Sequence, residues 1–248
     1  MKTTERHHLK ENELANALGQ AQHWAGGNSR TLLTAIGAIV LVGAAVLGVM
    51  AYRNNTDNRA RVMLAEAMVI EEARVMPAGP PPGTTNDPNA ISGQPPGTYP
   101  TEQAKLEASL PKFQAAADAF PSSEAGITAR YHLATNLVTL GRFDDAIRAY
   151  DQVLASGNTL LARSARLGKA EAQLRAGQYD PAIATLKQIV DQKDAALPAE
   201  ALLMELARAY KLAGKPEDAR KTLTLIVEQH AETQYATEAR AELDRLKG

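Results

Sequence analysis

Hydrophobic residues follow three different patterns along this chain. The first is an unbroken run, TLLTAIGAIVLVGAAVLGVMAY from Thr31 to Tyr52, which is 22 residues without a charge. At ~1.5 Å of rise per residue, a helix of that length crosses the ~30 Å hydrocarbon core of a bilayer. Arg30 and Arg53 bracket the run, and Tyr52 stands where an interfacial ring would sit. It is longer than the apolar core of a signal peptide and begins only after thirty residues, so it predicts one uncleaved anchor. The second pattern is helical. Leu14, Ala17, Leu18, Ala21 and Trp24 share one face between Asn12 and Trp24, as an amphipathic segment for the membrane surface or a partner. Val62, Leu64, Ala65, Met68, Val69 and Ala73 supply a stripe between Arg59 and Met76, and helical spacing resumes from Thr101 to the C-terminus.

The third pattern is an absence of period. Pro77 to Pro100 holds eight of the thirteen prolines, four glycines and one charge, Asp87. Such a segment packs no core and reads as a flexible or polyproline-like linker. The organisation predicted is a short tail with an amphipathic helix (1–30), a transmembrane helix (31–52), a membrane-proximal helix (53–76), a Pro/Gly-rich loop (77–100) and a repeat domain (101–248). Lys2, Arg6, Lys10 and Arg30 precede the span, and Arg53, Arg59 and Arg61 follow it closely. That bias is slight, and the reading adopted has the N-terminus in the cytoplasm and the C-terminal domain outside. The small pair Ala44 and Gly48 would let a second membrane helix approach closely, which leaves a homo-oligomer open.

Composition narrows the fold class. Hydrophobic residues make up 45 % of the chain but aromatic ones only 4 %, with Ala and Leu abundant, which favours packed helices over sheets. A net charge of −1 offers no basic face for nucleic acid. With no cysteine, disulfides, thiolate metal sites and cysteine nucleophiles are excluded.

The helical C-terminal part repeats itself. LGRFDDAIRAYDQVL from Leu140, AGQYDPAIATLKQIV from Ala176 and AGKPEDARKTLTLIV from Ala213 align on Gly141, Gly177 and Gly214, which are 36 and 37 residues apart. Phe143, Tyr179 and Pro216 follow each glycine by two residues, and Ala146, Ala182 and Ala219 follow by five. Ala134, Ala170 and Ala207 occupy matching places upstream. Glycine at such a position ends a helix in the left-handed conformation. An aromatic fills the space beside the turn, and alanine marks close helix crossings. Asp144, Asp180 and Glu217 meet the positive end of the following helix.

These units resemble tetratricopeptide repeats, with a period slightly longer than that family's usual one and Pro216 in place of an aromatic. The resemblance covers about residues 101 to 248 and implies an all-α solenoid of three to four helix pairs, closed by a polar helix from Gln234 to Lys247. Its groove positions, carried onto this sequence, fall on Tyr131, Thr135, Glu171, Arg175, Arg208 and Lys211. The layout of a short tail, one anchor and a small repeat array is similar to the YfgM-type ancillary subunit of the SecYEG translocon. That resemblance implies a bacterial inner-membrane protein with periplasmic repeats. The partners it implies are the translocon, periplasmic chaperones or secreted clients.

No catalytic constellation, phosphate loop or metal motif is present, so neither an enzyme nor a cofactor is expected. His7 and His8 are adjacent, which is wrong for a helical metal pair. His132 reads as structural or groove-lining, and His230 as a partner of the negative end of its helix. Glu71–Glu72 and Asp144–Asp145 have solvation or capping explanations. The function expected is protein or peptide binding at the membrane near the translocon. The alternative is a scaffold for envelope assembly without a translocon role.

Overall fold

A computed structural model of the chain describes residues 29–80, 93–192 and 198–246. Among the described residues the helices are α1 (Ser29–Glu71), α2 (Glu102–Ala119), α3 (Glu124–Thr139), α4 (Phe143–Ala155), α5 (Thr159–Arg175), α6 (Tyr179–Asp191), α7 (Ala199–Leu212), α8 (Pro216–Gln229) and α9 (Gln234–Arg245). Two short strands, β1 (Arg74–Val75) and β2 (Thr98–Tyr99), pair in parallel. The amphipathic segment Asn12–Trp24 and the His7–His8 pair lie outside the described residues. The chain divides between Asn55 and Thr56 into two compact units, which are taken separately.

In the first unit, the helix from Ser29 carries the apolar run. It is long and apolar enough to cross a membrane, and Ile39, Leu41 and Leu47 are exposed rather than packed into a core. The expected transmembrane (31–52) and membrane-proximal (53–76) segments fall on one helix, since RNNTDN at 53–58 contains neither proline nor glycine to stop α1.

In the second unit, α1 from Thr56 onward packs on α2. Ala60 and Ala67 are fully buried, and Ala67 shares a core with Leu110 and Phe113. The Arg59 guanidinium stands 6.0 Å from the Phe120 ring centre, and Lys112 Nζ is 3.8 Å from Glu66 Oε2. Low numbers on one helix meet high numbers on the other, so the two run antiparallel. The Pro/Gly stretch therefore interrupts a helix pair instead of separating a membrane-proximal helix from the repeats. Its ends are fastened together. Arg74 pairs with Thr98 and Val75 with Tyr99, which takes the chain out of helix before the expected boundary at Met76. Gln94 Nε2 donates to the Met76 carbonyl at 3.1 Å. Residues 81–92 of the stretch lie outside the described residues.

Three further pairs follow: α3 with α4, α5 with α6, α7 with α8. Each helix packs on the next, and α9 closes the end against α8 and α7. The turns inside these pairs are copies of one another. Gly141, Gly177 and Gly214 have φ of 74°, 74° and 68°. The N–H groups of Arg142, Gln178 and Lys215 donate to Leu137, Gln173 and Tyr210 carbonyls at 2.8, 2.8 and 2.9 Å. That six-residue closure satisfies carbonyls which the helix end would otherwise orphan. Turns between pairs use another device. Ser123 and Thr233 cap α3 and α9 by accepting from the N–H groups of Gly126 and Ala236. Ala134, Ala146, Ala170, Ala182, Ala207 and Ala219 are all buried, as close helix crossings require.

Candidate peptide-binding face

The leading helices of the three regular pairs, α3, α5 and α7, line a cleft of about 640 Å3. Tyr131, Thr135, Glu171, Arg175 and Arg208 all border it, so five of the six residues placed in a groove from the sequence come together there. Tyr150 of α4 forms part of its floor. That side chain is buried, its hydroxyl 3.3 Å from Thr135 Oγ1 and its ring edge-on to Tyr131 at 5.9 Å. Burial pushes the Tyr150 hydroxyl pKa up, and the Tyr131 and Glu171 charges act the same way, against the hydrogen bond with Thr135. It therefore stays a neutral hydrogen-bonding group.

Gly168 makes this arrangement sterically feasible. A Cβ there would lie 2.4 Å from the Tyr150 Cζ and hydroxyl oxygen. Gly168 had a sequence signal of its own that went unread, since an isolated glycine inside a helical pattern marks a close approach. Leu167, the residue before Gly168, and Leu174, about two turns further along the same helix, were also missed and add apolar lining to the cleft.

The two arginines differ in freedom. Arg175 lies over the Phe143 ring at 5.0 Å and 3.7 Å from Glu171 Oε1. It thus covers the aromatic of the preceding turn while its charge borders the cleft. Arg208 has a looser neighbour, Glu205 Oε2 at 3.8 Å, and its side chain is 69 % exposed, so its guanidinium is available to a ligand. Lys211 goes elsewhere. It borders a second cleft of about 610 Å3 between α7 and α9 and is bonded to Glu242, which also holds Arg245. Those hydrogen bonds, Lys211's first, hold the Glu242 carboxyl below its ordinary pKa despite burial. Three residues past Arg208, Lys211 is rotated towards the closing helix, which a consensus groove position does not foresee.

His132 is occupied structurally. Its Nδ1 donates to Glu71 Oε2 at 2.9 Å, and its ring stacks on Phe113 at 5.3 Å. Glu71 also accepts from Asn136, and Asn136 Nδ2 donates to Ser109 Oγ at 3.0 Å. A polar chain, buried at Ser109 and Asn136 and half-buried at Glu71 and His132, thus ties α1, α2 and α3. His230 ends α8 with its backbone N–H on the Ile226 carbonyl, but its imidazole, expected at the negative end of the helix, turns instead to Glu200, with Nδ1 3.5 Å from Oε2. Among the described residues no group of three His, Cys, Asp or Glu side chains is placed to hold a metal.

Gln178 Nε2 donates to Asp144 Oδ1 at 2.9 Å, and Lys215 Nζ to Asp180 Oδ1 at 2.5 Å. The residues after Gly177 and Gly214 thus reach the first-turn carboxylate of the preceding repeat, whereas Arg142, after Gly141, bonds Asp145 of its own helix. Helix-end charge alone had been assigned to those carboxylates from the sequence. The spacing of 34 and 35 residues, one repeat apart, was the available signal.

Family models for the tetratricopeptide repeat match residues 131–201 and 200–233. Among solved structures, one chain of nearly identical TPR-like repeats, from a Podosopora anserina kinesin light chain candidate, is similar. Its identity is 20 % over 57 % of this chain and 77 % of that one, at a TM-score of 0.50. MamA 41-end from Desulfovibrio magneticus RS-1 shares 21 % identity over 58 % of this chain and 87 % of its own, with a TM-score of 0.44. No curated protein matches. The chain contains tetratricopeptide repeats arranged as an all-α solenoid, a protein-interaction architecture.

Proposed function

We propose that this protein is a single-pass inner-membrane protein whose repeats, in the periplasm, hold polypeptide partners close to the Sec translocon. The observation that carries the reading is the cleft shared by α3, α5 and α7. Guanidinium groups of Arg175 and Arg208 suit backbone carbonyls and carboxylates, and the Tyr131 ring suits an apolar side chain. Glu171 and Glu205 stand beside those arginines, so the face offers both signs along its length. An extended segment with alternating polar and apolar side chains fits that chemistry.

The anchor supplies the rest of the mechanism. Confining a weak binder to a membrane raises its effective concentration towards partners in the same plane, without any new contact. The likeness in layout to the translocon's ancillary subunit supports the location. The N-terminal tail is then cytoplasmic.

A photocrosslinking amino acid at position 131 or 208 of the full chain, in living cells, tests this reading. Mass spectrometry should find translocon subunits and secreted clients attached. Attachment to other envelope machinery alone would leave the binding face standing and make the protein an assembly scaffold. Topology is read independently: in intact cells, Lys247→Cys should react with a membrane-impermeant maleimide. Protection until the cells are opened would refute the periplasmic reading.

A further inference from the structure

We infer that two copies of this chain pair in parallel along the solvent face of α1 between Asn58 and Val69. In this stretch the helix has two opposite faces. Ala60 and Ala67 are fully buried against the repeats, whereas Val62 and Val69 are 59 % and 70 % exposed, with Ala65 and Asn58 exposed between and beside them. Exposed valines seven residues apart, with a small residue between, form the stripe of a two-stranded coiled coil. With Val62 and Val69 at heptad position a, Asn58 and Ala65 fall at d. The buried alanines fall at f, the position farthest from the seam.

Charge selects the occupant. In that register Arg61 takes position g and Glu66 the following e. These are the two positions that meet across a parallel pair, so each Arg61 would face Glu66 of the other copy, twice by symmetry. Glu66 is well exposed, and its neighbour within the chain, Lys112, is 3.8 Å away, so the carboxylate can be shared. An antiparallel pair would instead set like positions against each other, and anchors in one membrane impose the parallel sense.

The sequence upstream keeps the register. Leu41, Gly48 and Asn55 recur at a, and Gly37, Ala44 and Ala51 at d. Small residues there permit close approach of membrane helices, and asparagine at a favours a two-stranded, in-register pair.

The inference rests on the anchoring part of the proposed function and not on peptide binding. Because the chain lacks cysteine, single substitutions report cleanly. Val62→Cys and Val69→Cys in the full chain, in native membranes oxidised with copper phenanthroline, should form disulfide-linked dimers. Leu160→Cys, 80 % exposed on α5, should not. Arg61→Glu sets like charges together and should lower the dimer yield at position 62 about five-fold, and adding Glu66→Arg should restore it. Equal crosslinking at 160, no dimer at 62 and 69, or a yield indifferent to the charge exchange would overturn the inference. Carbonate extraction of the same membranes reports anchoring separately, so its failure is distinguishable from failure of the seam.

Discussion

Tyr150 owes its place to a residue that contributes no side chain. Its ring occupies the volume that a Cβ on Gly168 would need, and the hydroxyl thereby reaches Thr135 at the cleft floor. Gly168→Ala should cost about 1–3 kcal/mol, the range for overpacking a filled site. Thermal melts followed by helical circular dichroism will show it. Tyr150→Leu in that background should recover part of the loss, and strict additivity of the two changes would contradict the contact. Glu71 supports a second prediction. Burial alone would raise its carboxyl, but hydrogen bonds from His132 and Asn136, with the charge of His132 and Lys105, hold it below the ordinary value of 4.5. Its folded pKa is depressed, so the stabilisation is complete above 4.5 and is lost as pH falls through the lower folded value. The gap in melting temperature between the native chain and Glu71→Gln should therefore be widest above pH 5 and should shrink below 4.5. A gap that grows on acidification would remove Glu71 from this role.

At the scale of elements, the repeated turn binds one repeat to the next through the residue following its glycine. The two rungs differ in chemistry, since Gln178 is neutral and Lys215 is charged. Exposed ion pairs are worth about 0–1 kcal/mol and are screened by salt. The coupling between Lys215 and Asp180 in a double-mutant cycle should fade between 0.05 and ~1 M salt. That between Gln178 and Asp144 should change less. Equal salt sensitivity would mean that the carboxylates act mainly through the helix ends. The turn glycines and crossing alanines were legible in the sequence because each satisfies a local rule of backbone or size. The rungs were not, since they join residues 34 and 35 apart and depend on how successive repeats stack. Likewise the spacing marked residues 59–76 as helical but not which face is buried: Ala60 and Ala67 are buried, whereas Val62, Ala65 and Val69 of the expected stripe are exposed, and nothing local said that the partner was α2.

Across the whole molecule, the repeats begin earlier than their sequence signature. Family models match from residue 131, yet α1 and α2 already make an antiparallel pair sharing the core of α3 and α4. Five of the six positions carried over from the repeat meet at one cleft because leading-helix positions recur with the repeat. Lys211 does not, because it faces the closing helix rather than a further repeat. The central cleft and the terminal one share Arg208 and Glu205, so Glu242, which borders only the terminal one, tells them apart. With the crosslinking amino acid placed at position 171 in the central cleft, Arg208→Ala should sharply reduce partner crosslinking with little change in melting temperature. Glu242→Ala should release Lys211 and Arg245 and destabilise α9 with partner crosslinking retained. Loss of crosslinking from the second variant alone would move the binding face to the C-terminal cleft.

The interrupted helix pair has a consequence in time. Closing it means joining α1 to α2 across the thirty residues between Glu71 and Glu102, where the regular pairs close across three. Chain entropy grows with the logarithm of loop length, so this closure costs about 2 kcal/mol more than the others. The fastening at Thr98 and Tyr99 offsets only part of that, being two residues long. Amide protons of α1 beyond Thr56 and of α2 should therefore exchange with deuterium sooner than those of α5 and α6. During synthesis this pair must also wait for α2 to emerge, so the segment next to the apolar run is the last of its pair to find its place.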